Sequence, residues 1–273
     1  MATNLIYPPQ KILTQDRCRM VQLSDLHLPH DTASAYHANF LAILNHALTL
    51  NPDLILLTGD LVQDGNKGGY DWLFDVLHKT GVAFVCIAGN HDVTFEHHAQ
   101  LSFDKRSFSP VTPDSRLLDC HQLTLYLHDK PTWQLLLLNS AVGGKIVGAF
   151  NQESLTWLND ALKNSSLPTL IALHHHPLPV ASRWIDAYRL QNADEFWQTL
   201  APYPHVKAIL CGHVHQAHAL SAPTPYPCTL FTCPTTSRQF LPLADDFAID
   251  DIAGGFRCFN LYKEEFSTQV YRL

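Results

Sequence analysis

The stretch "TLIALHHHPLP", residues 169–179, decides how the rest of the sequence is interpreted. Its first half is an apolar run of strand length, and its second half is three consecutive histidines that stop at Pro177. A continuous apolar run of this length is typical of a strand that is buried on both faces. His174 therefore comes directly after a buried strand. In open α/β sheets, functional groups lie beyond the carboxyl ends of the strands.

The same pattern recurs along the chain, with an apolar run that ends at Gly, Asp, Asn or His. A further run, "WQLLLLNS" at 133–140, predicts a strand without an obvious ligand. Helical patterns lie between the runs, and strands that alternate with helices predict βαβ units and a parallel-rich sheet. The pieces "GGFRCFNLY" and "STQVYRL" predict antiparallel strands near the C-terminus, and residues 1–273 are interpreted as one domain. The remaining runs are "CRMVQLSDLH" (18–27), "PDLILLTGD" (52–60), "VAFVCIAGNHD" (82–92) and "VKAILCGHVH" (206–215), and the helical patterns are "SAYHANFLAILNHALTL" (34–50), "GGYDWLFDVLHKT" (68–80) and "NQESLTWLNDALKN" (151–164).

The histidine content and the net charge favour some classes of function and argue against others. The chain has 17 histidines beside 18 lysines and arginines, which makes metal binding the first hypothesis. A net charge of −7 argues against a nucleic-acid partner, because a long phosphate backbone requires a basic surface. The chain has seven cysteines without a C-x-x-C pair, no signal-peptide pattern and no apolar segment long enough to span a membrane. We therefore expect a cytoplasmic protein that does not bind membranes.

Five strand ends carry polar residues that can converge at one edge of the sheet. Residues two apart on an extended chain point to the same side, so a D-x-H or H-x-H pair can serve one site. Carboxylate, imidazole and amide oxygen are ligands for divalent Mn, Fe or Zn, and Asp60 can bridge two ions about 3.5–4 Å apart. The groups, in chain order, are Asp25 and His27, Asp60, the G-N-H-D residues Asn90, His91 and Asp92, His174 to His176, and His213 and His215.

Taken together and in this order, D-x-H, G-D, G-N-H-D, H-x-x-P and G-H-x-H resemble the motifs of the calcineurin-like metallophosphoesterases. The resemblance implies an α/β fold, a four-layer α/β/β/α sandwich in which a double β-sandwich is flanked by helices. It also implies a catalytic His91 that faces the substrate and is oriented by a hydrogen bond to Asp92. The implied ligands are Asp25, His27, Asp60 and His215 for one metal, and Asp60, Asn90, His174 and His213 for the other. His175 and His176 would line the pocket or support the loop before Pro177, although His176 is as well explained as a residue that fills a turn.

A narrower resemblance is to the cyclic nucleotide phosphodiesterases of this family, the bacterial cAMP type. It is carried by "LHHHPLP", by residues 182–196 and by residues 204–216, and it weakens over 94–130 and at the C-terminus. It implies hydrolysis of 3′,5′-cyclic AMP to 5′-AMP. The candidate base and ribose contacts are Arg183, Trp184, Asp186, Arg189 and Asn192, beside His27, Asp60, Asn90, His91 and His215 around the phosphate. Equally open is that Trp184 packs locally and that Arg189 pairs with Asp186 on the surface.

Alternatives of two classes stay open. The chain could be another phosphoesterase of the same fold, such as a general phosphodiesterase, a phosphomonoesterase, a nucleotide pyrophosphatase or a nuclease. It could also be a non-catalytic scaffold, but such a chain should have lost ligands that this sequence keeps. We expect two divalent ions, Fe or Mn with Zn possible, a small cyclic nucleotide as the partner, and a monomer or homodimer. His97 and His98 are expected on the surface.

Overall fold

The computed structural model describes residues 7–65, 67–97 and 106–273; His98 lies outside these ranges. The strands in the described ranges are Lys11–Thr14 (β1), Cys18–Leu23 (β2), Leu54–Thr58 (β3), Ala83–Ile87 (β4), Thr94–Glu96 (β5), Phe108–Pro110 (β6), Cys120–Leu127 (β7), Lys130–Leu138 (β8), Thr169–Ala172 (β9), Val206–Cys211 (β10), Ala219–Ser221 (β11), Thr229–Thr232 (β12), Gly255–Leu261 (β13) and Phe266–Arg272 (β14). The α-helices there are Ala35–Thr49 (α1), Lys67–Thr80 (α2), Gln152–Lys163 (α3), Arg183–Asp186 (α4) and Ala193–Leu200 (α5), and single 3-10 turns cover Gln63–Gly65 and Asn90–Asp92.

The strands form two large sheets. One has seven strands in the order β1-β7-β8-β9-β10-β12-β11, and the other has five in the order β14-β13-β2-β3-β4. The predicted runs pair in parallel, β2 with β3 and β3 with β4 in one sheet, and β8 with β9 and β9 with β10 in the other. The predicted antiparallel C-terminal pair is β13 with β14. The apolar runs were therefore predicted correctly as strands, but they divide between two sheets.

Side chains alternate between the two faces of each strand, and this alternation builds the layers. Leu56 of β3 joins Leu137 of β8 in the core between the sheets, whereas its neighbour Ile55 joins the core under α1 and α2. On the far side, α3 and α5 cover the seven-stranded sheet, with Leu158 and Phe196 against its outer face. Both faces of both sheets are covered, which explains why the strands are continuously apolar rather than alternating. The predicted mixed α/β fold is confirmed, and the helices and sheets pack in an order that is consistent with the four-layer α/β/β/α sandwich.

Helix caps fix where the crossover helices begin. The Asn151 side chain accepts a hydrogen bond from the Ser154 N–H at 2.8 Å, as its position before α3 predicts. Ser34 caps α1 by accepting from the His37 N–H. These crossovers return the chain so that the carboxyl ends of β2, β3 and β4 lie beside those of β9 and β10. No helix in the described ranges is both long and apolar enough to span a bilayer. That residues 1–273 form one domain stays a prediction.

Candidate metal centre

Main-chain N–H groups donate the hydrogen bonds that connect neighbouring strand ends within each sheet and that join one sheet to the other. The N–H of His27 donates to the Asp60 carbonyl at 2.9 Å, which ties the end of β2 to the end of β3. The N–H of Gly212 donates to the His174 carbonyl at 3.1 Å and ties β10 to β9. The N–H of His213 then donates to both carboxylate oxygens of Asp25 at 3.1 Å, across the two sheets. The predicted ligands are thereby held together by main-chain atoms.

The first group of possible ligands is Asp25, His27, Asp60 and His215. The Nε2 atom of His215 lies 3.3 Å from an oxygen of Asp25 and 3.1 Å from the Nε2 atom of His27. The His27 Nε2 atom is also 3.7 Å from an oxygen of Asp60. Ligand atoms of Asp25, His27 and His215 all lie within 4.8 Å of one another, a spacing that one metal ion can bridge.

The second group is Asp60, Asn90, His174 and His213. Asp60 belongs to both groups, and the oxygen that faces His27 lies 3.4 Å from the Nε2 atom of His174. Asn90 Oδ1, His174 Nε2 and His213 Nε2 are buried and have no hydrogen-bond partner. A buried polar atom without a partner costs about 1–3 kcal/mol, so three of them on predicted ligands point to a bound cation.

Hydrogen bonds to the other ring nitrogens aim the histidines. The Nδ1–H of His174 donates to the Thr58 carbonyl at 2.7 Å, and that of His215 donates to the Arg238 carbonyl at 2.8 Å. The Nδ1 atom of His27 lies 3.1 Å from Oε1 of Gln63. A carbonyl can only accept, so each ring carries its hydrogen on Nδ1 and turns the lone pair of Nε2 toward the centre.

The donor set fits divalent cations. With Nδ1 protonated on both rings, the Nε2 lone pairs of His27 and His215 face one another at 3.1 Å, beside the carboxylates of Asp25 and Asp60. Lone pairs so close repel unless a positive charge lies between them. Imidazole, carboxylate and amide ligands without cysteine suit Mn, Fe or Zn in a catalytic site rather than a structural zinc site.

The backbone at the ligands adopts the left-handed conformation. Five of the seven predicted ligands have φ between 47° and 68°, a region that non-glycine residues rarely occupy. Each such residue costs on the order of 1–3 kcal/mol and persists only where surrounding contacts hold it, which is typical of functional sites. The five are Asp25, His27, Asp60, His213 and His215.

Burial and neighbouring charges together shift the pKa values of the residues at the centre. Burial raises the pKa of Asp60, but His174 and His91 outweigh it and hold that pKa well below its usual value. Burial lowers the pKa of His174, but the carboxylates of Asp60 and Asp25 outweigh it and raise the pKa to about 9. Burial, with His91 second, lowers the pKa of His27 to about 3. The carboxylates therefore stay ionised and His27 stays neutral, which are the states that bind metal, whereas His174 holds a proton that a bound cation must displace.

His91 lies at the opening of the centre, but Asp92 does not orient it as predicted. The N–H of His91 donates to Asp60 at 2.8 Å, and its ring Nδ1 lies 3.0 Å from Nε2 of Gln63. The Asp92 carboxylate faces inward instead, where it accepts from the Tyr70 hydroxyl at 2.7 Å and from the Gly89 N–H at 2.8 Å. It also accepts from the N–H groups of Leu61 and Val62. Asp92 thus braces the G-N-H-D turn against the segment after β3, because buried N–H donors hold its side chain away from the His91 ring.

The other two histidines of the triple run are structural. His174, His175 and His176 are all fully buried, so none fills a surface turn. His175 uses both ring nitrogens, one with the Ser140 hydroxyl at 2.9 Å and one with the Ile146 carbonyl at 3.0 Å. Although it lies close to His174 and His213, it therefore has no free lone pair for a metal. The His176 ring pairs with Asp186 at 3.2 Å, so of the two alternatives left open it supports the loop rather than fills a turn.

The predicted substrate loop lies beside the centre. Trp184 packs edge-on against Phe240 and Phe247, with ring centroids 4.8 and 5.2 Å away. Arg183 forms an exposed pair with Asp245 at 3.6 Å. A pocket of about 580 Å³ is lined by Arg183, Arg189 and their neighbours, and no predicted metal ligand lines it.

Two other loop residues have local partners. Asp186 pairs with His176 rather than with Arg189. Asn192 bonds both the N–H and the carbonyl of Phe150. The local-packing alternative therefore describes the contacts of Trp184. The partner of Asp186 is His176, and the charge of Arg189 only helps to lower the Asp186 pKa, after burial, which raises it, and the contacts with His176 and Val180, which lower it.

Two residues of the site were not singled out from the sequence. The ring of Phe240 stacks on the ring of His215, with centroids 3.9 Å apart and planes at 6°. Gln63 contacts both His27 and His91. Gln63 follows the G-D motif by three positions, and that proximity is a usable signal. Phe240 lies in an irregular C-terminal segment without periodicity, and no sequence pattern indicates it.

Comparison with known proteins agrees with this geometry. A family model described as calcineurin-like phosphoesterase matches residues 18–217. A probable cyclic nucleotide phosphodiesterase of Moraxella catarrhalis is 48% identical over 240 residues, covering 87% of this chain and 86% of the relative. The 3′,5′-cyclic adenosine monophosphate phosphodiesterase CpdA of Escherichia coli K12 is 34% identical, covering 94% of this chain and 90% of the relative.

A solved structure shares the fold at much lower identity. A dimetal phosphatase from Danio rerio is 14% identical, with a TM-score of 0.61, over 94% of this chain and all of that one. The family match covers most of the chain, and both bacterial relatives align over nearly their whole length. The chain therefore belongs to the calcineurin-like phosphoesterase family, and it is a hydrolase of phosphate esters.

Proposed function

We propose that this protein hydrolyses 3′,5′-cyclic AMP to 5′-AMP at a binuclear metal centre and so lowers cyclic nucleotide levels. The observation that carries the proposal is the set of three buried, unpartnered ligand atoms of Asn90, His174 and His213 next to the shared carboxylate of Asp60. The cyclic nucleotide as substrate is supported by the names of relatives that align over nearly the whole chain.

The ligands divide into two proposed sets that share Asp60. Fe and Mn are the proposed metals, with Zn compatible with the same donors. When bound, two such cations supply positive charge to the phosphate and acidify a water molecule toward neutral pH. Asp25, His27, Asp60 and His215 would hold one cation, and Asp60, Asn90, His174 and His213 the other.

His91 is the proposed catalytic residue. Its N–H is held by Asp60 and its Nδ1 atom faces Gln63, so the Nε2 atom is left for the substrate. As the water oxygen bonds to phosphorus, the water gives up one proton, the bond from phosphorus to the ribose 3′ oxygen breaks, and that oxygen takes up a proton. In this position the Nε2–H of His91 donates a hydrogen bond to the 3′ oxygen as it gains charge. Asp92 contributes by bracing the turn that carries His91.

The substrate contacts are proposed in two zones. His27, Asp60, Asn90, His91 and His215 surround the proposed phosphate position. Arg183, Trp184 and Arg189 are the proposed contacts to ribose and base, on the loop that His176 and Asp186 anchor. We also propose a cytoplasmic monomer or homodimer that binds neither nucleic acid nor membrane, in line with the net charge of −7.

The test is a substrate panel with the Mn-loaded protein: cyclic AMP, cyclic GMP, 2′,3′-cyclic AMP, ATP and an aryl phosphodiester, with products identified. Rapid and selective conversion of cyclic AMP to 5′-AMP is expected. Slow turnover of cyclic AMP beside rapid cleavage of another ester would show that cyclic AMP is not the substrate. It would still support hydrolysis at a metal centre. No turnover of any ester with two metals bound would overturn the catalytic role and favour a scaffold.

A further inference from the structure

The side chain of Gln63 lies between the rings of His27 and His91. Its Oε1 atom is 3.1 Å from Nδ1 of His27, and its Nε2 atom is 3.0 Å from Nδ1 of His91. The two rings stand nearly perpendicular, with centroids 4.6 Å apart. One amide group therefore faces the same ring atom of two histidines, with its acceptor toward one and its donor toward the other.

The contact with Asp64 fixes the orientation of this amide. The Nε2 atom of Gln63 also donates to a carboxylate oxygen of Asp64 at 3.2 Å, and a carboxylate can only accept. Oε1 then faces Nδ1 of His27 as an acceptor, which leaves the Nε2 atom of that ring for a bound cation. A flipped amide would set a carbonyl against the carboxylate of Asp64.

We propose that Gln63 is a positioning residue that fixes opposite hydrogen placements on the two histidines. By accepting from His27 it turns the Nε2 lone pair of that ring toward the metal centre. By donating to His91 it occupies the Nδ1 lone pair, so that His91 carries its hydrogen on Nε2, on the substrate side. A carboxylate at position 63 could accept from both rings but could not donate to His91.

The loop does not need this side chain for its own conformation. The backbone N–H of Gln63 already donates to the Leu28 carbonyl at 2.9 Å, and Asp92 holds the N–H groups of Leu61 and Val62. The side chain is thus free to serve the two rings. Its importance for turnover rests on the proposed function, whereas the hydrogen placement does not.

The decisive variant is Gln63→Glu, which keeps the shape and the acceptor but removes the donor. The readout is nitrogen NMR of histidine rings in ¹⁵N-labelled protein loaded with Zn, because Zn is diamagnetic whereas Fe and Mn broaden the signals of nearby nuclei. The pH is held above the ordinary imidazole pKa. The signals are assigned by their loss in His27→Asn and His91→Asn. Wild type is expected to show a hydrogen on Nδ1 of His27 and on Nε2 of His91. In Gln63→Glu the His27 pattern should stay, while Nδ1 of His91 gains a hydrogen.

A second variant, Gln63→Met, keeps a side chain of similar length but removes both hydrogen bonds. The His91 ring should then lose its single preferred form, while a bound metal still keeps the His27 hydrogen on Nδ1. Gln152→Glu, an exposed change on α3, is the control and should alter neither ring. The proposal is overturned if the His91 pattern is the same in wild type, Gln63→Glu and Gln63→Met while thermal unfolding shows each variant folded. It is also overturned if wild-type His91 carries its hydrogen on Nδ1.

Turnover gives the second readout. Loss of a residue that orients a ligand or catalytic histidine typically costs 10–100-fold in activity or metal affinity. We expect Gln63→Glu to lower kcat by about that factor for both cyclic AMP and an aryl phosphodiester, with KM little changed. Unchanged kcat for every ester that wild type cleaves would overturn the role in the reaction. Lack of cyclic AMP turnover by wild type would instead overturn the substrate and leave the ring signals interpretable.

Discussion

The metal centre and the substrate loop lie side by side, yet they are held in different ways. At the centre, main-chain groups from both sheets hold the ligands, as where the His213 N–H bonds Asp25 and the Thr58 carbonyl aims His174. On the loop, Arg183 and Asp245 meet with side chains 75% and 72% exposed, where an ion pair contributes about 0–1 kcal/mol. The centre is therefore suited to chemistry that depends on fixed distances, and the proposed role of the loop is recognition of the variable part of a substrate.

The largest expected effect is at the carboxylate shared by both ligand groups. Asp60→Asn removes a charge that faces His27 and His174 and also accepts from the His91 N–H. We expect the loss of at least one bound metal per chain and a fall in turnover of about a thousandfold, about 4 kcal/mol of barrier. Elemental analysis and an aryl phosphodiester assay measure both.

Asp16→Asn is the matched control, because that side chain is 90% exposed. It should keep two metals and full turnover. Two metals per chain in Asp60→Asn would contradict the shared role of this carboxylate.

The next effect is the dependence of metal affinity on pH. The carboxylates of Asp60 and Asp25 outweigh burial and raise the pKa of His174 to about 9, so a cation must displace a proton from this ring below that pH. Affinity should therefore rise with pH from 6 to 9, about tenfold per unit for each displaced proton. Competition with a chelator of known affinity at each pH measures it, and a flat profile over this window would contradict the raised pKa of His174.

A third prediction compares two glycines with similar backbone angles. Gly59 precedes Asp60 at φ 89°, and an added Cβ would lie 2.5 Å from the His174 ring and 2.7 Å from the Gly89 nitrogen. Gly81 follows α2 at φ 72°, with nothing within 4 Å of such an atom. Gly59→Ala should lower the free energy of unfolding by about 3 kcal/mol, from strain plus overpacking, and weaken metal binding.

Gly81→Ala should lower the free energy of unfolding by only about 1 kcal/mol, because only the backbone angle opposes it. Urea unfolding of both variants separates the two contributions. Equal losses would show that the neighbours of Gly59 yield and that the glycine of the G-D motif is needed only for its angle.

The ligands of the centre could be predicted because each follows a buried strand. Asp25, Asp60 and His174 come directly after apolar runs, and parallel strands bring such positions to one edge. The division of these strands between two sheets was not contained in the apolar pattern, because strands buried on both faces look alike in either sheet. The layers came instead from the family resemblance.

The surroundings of His91, the candidate catalytic histidine, were predicted less well. The family resemblance implied a hydrogen bond between its ring and Asp92, but a 3-10 turn directs that carboxylate toward Tyr70. Gln63 takes that place from another loop. Phe240 reaches His215 from a segment more than twenty residues away. Contacts between distant loops depend on the packed fold, and no local period in the sequence encodes them.

The smallest expected effect is on the substrate loop. Arg183→Ala removes an exposed charge, so the free energy of unfolding should change by less than about 0.5 kcal/mol. If Arg183 contacts the nucleotide, KM for cyclic AMP should rise about threefold to tenfold, while kinetics for an aryl phosphodiester stay unchanged. Asp245→Asn serves as the matched variant, because it breaks the same pair but leaves the arginine able to reach a substrate. If KM rises equally in both variants, the effect comes from the loop's conformation, because both variants break the same ion pair. A direct contact with the nucleotide would be lost only in Arg183→Ala.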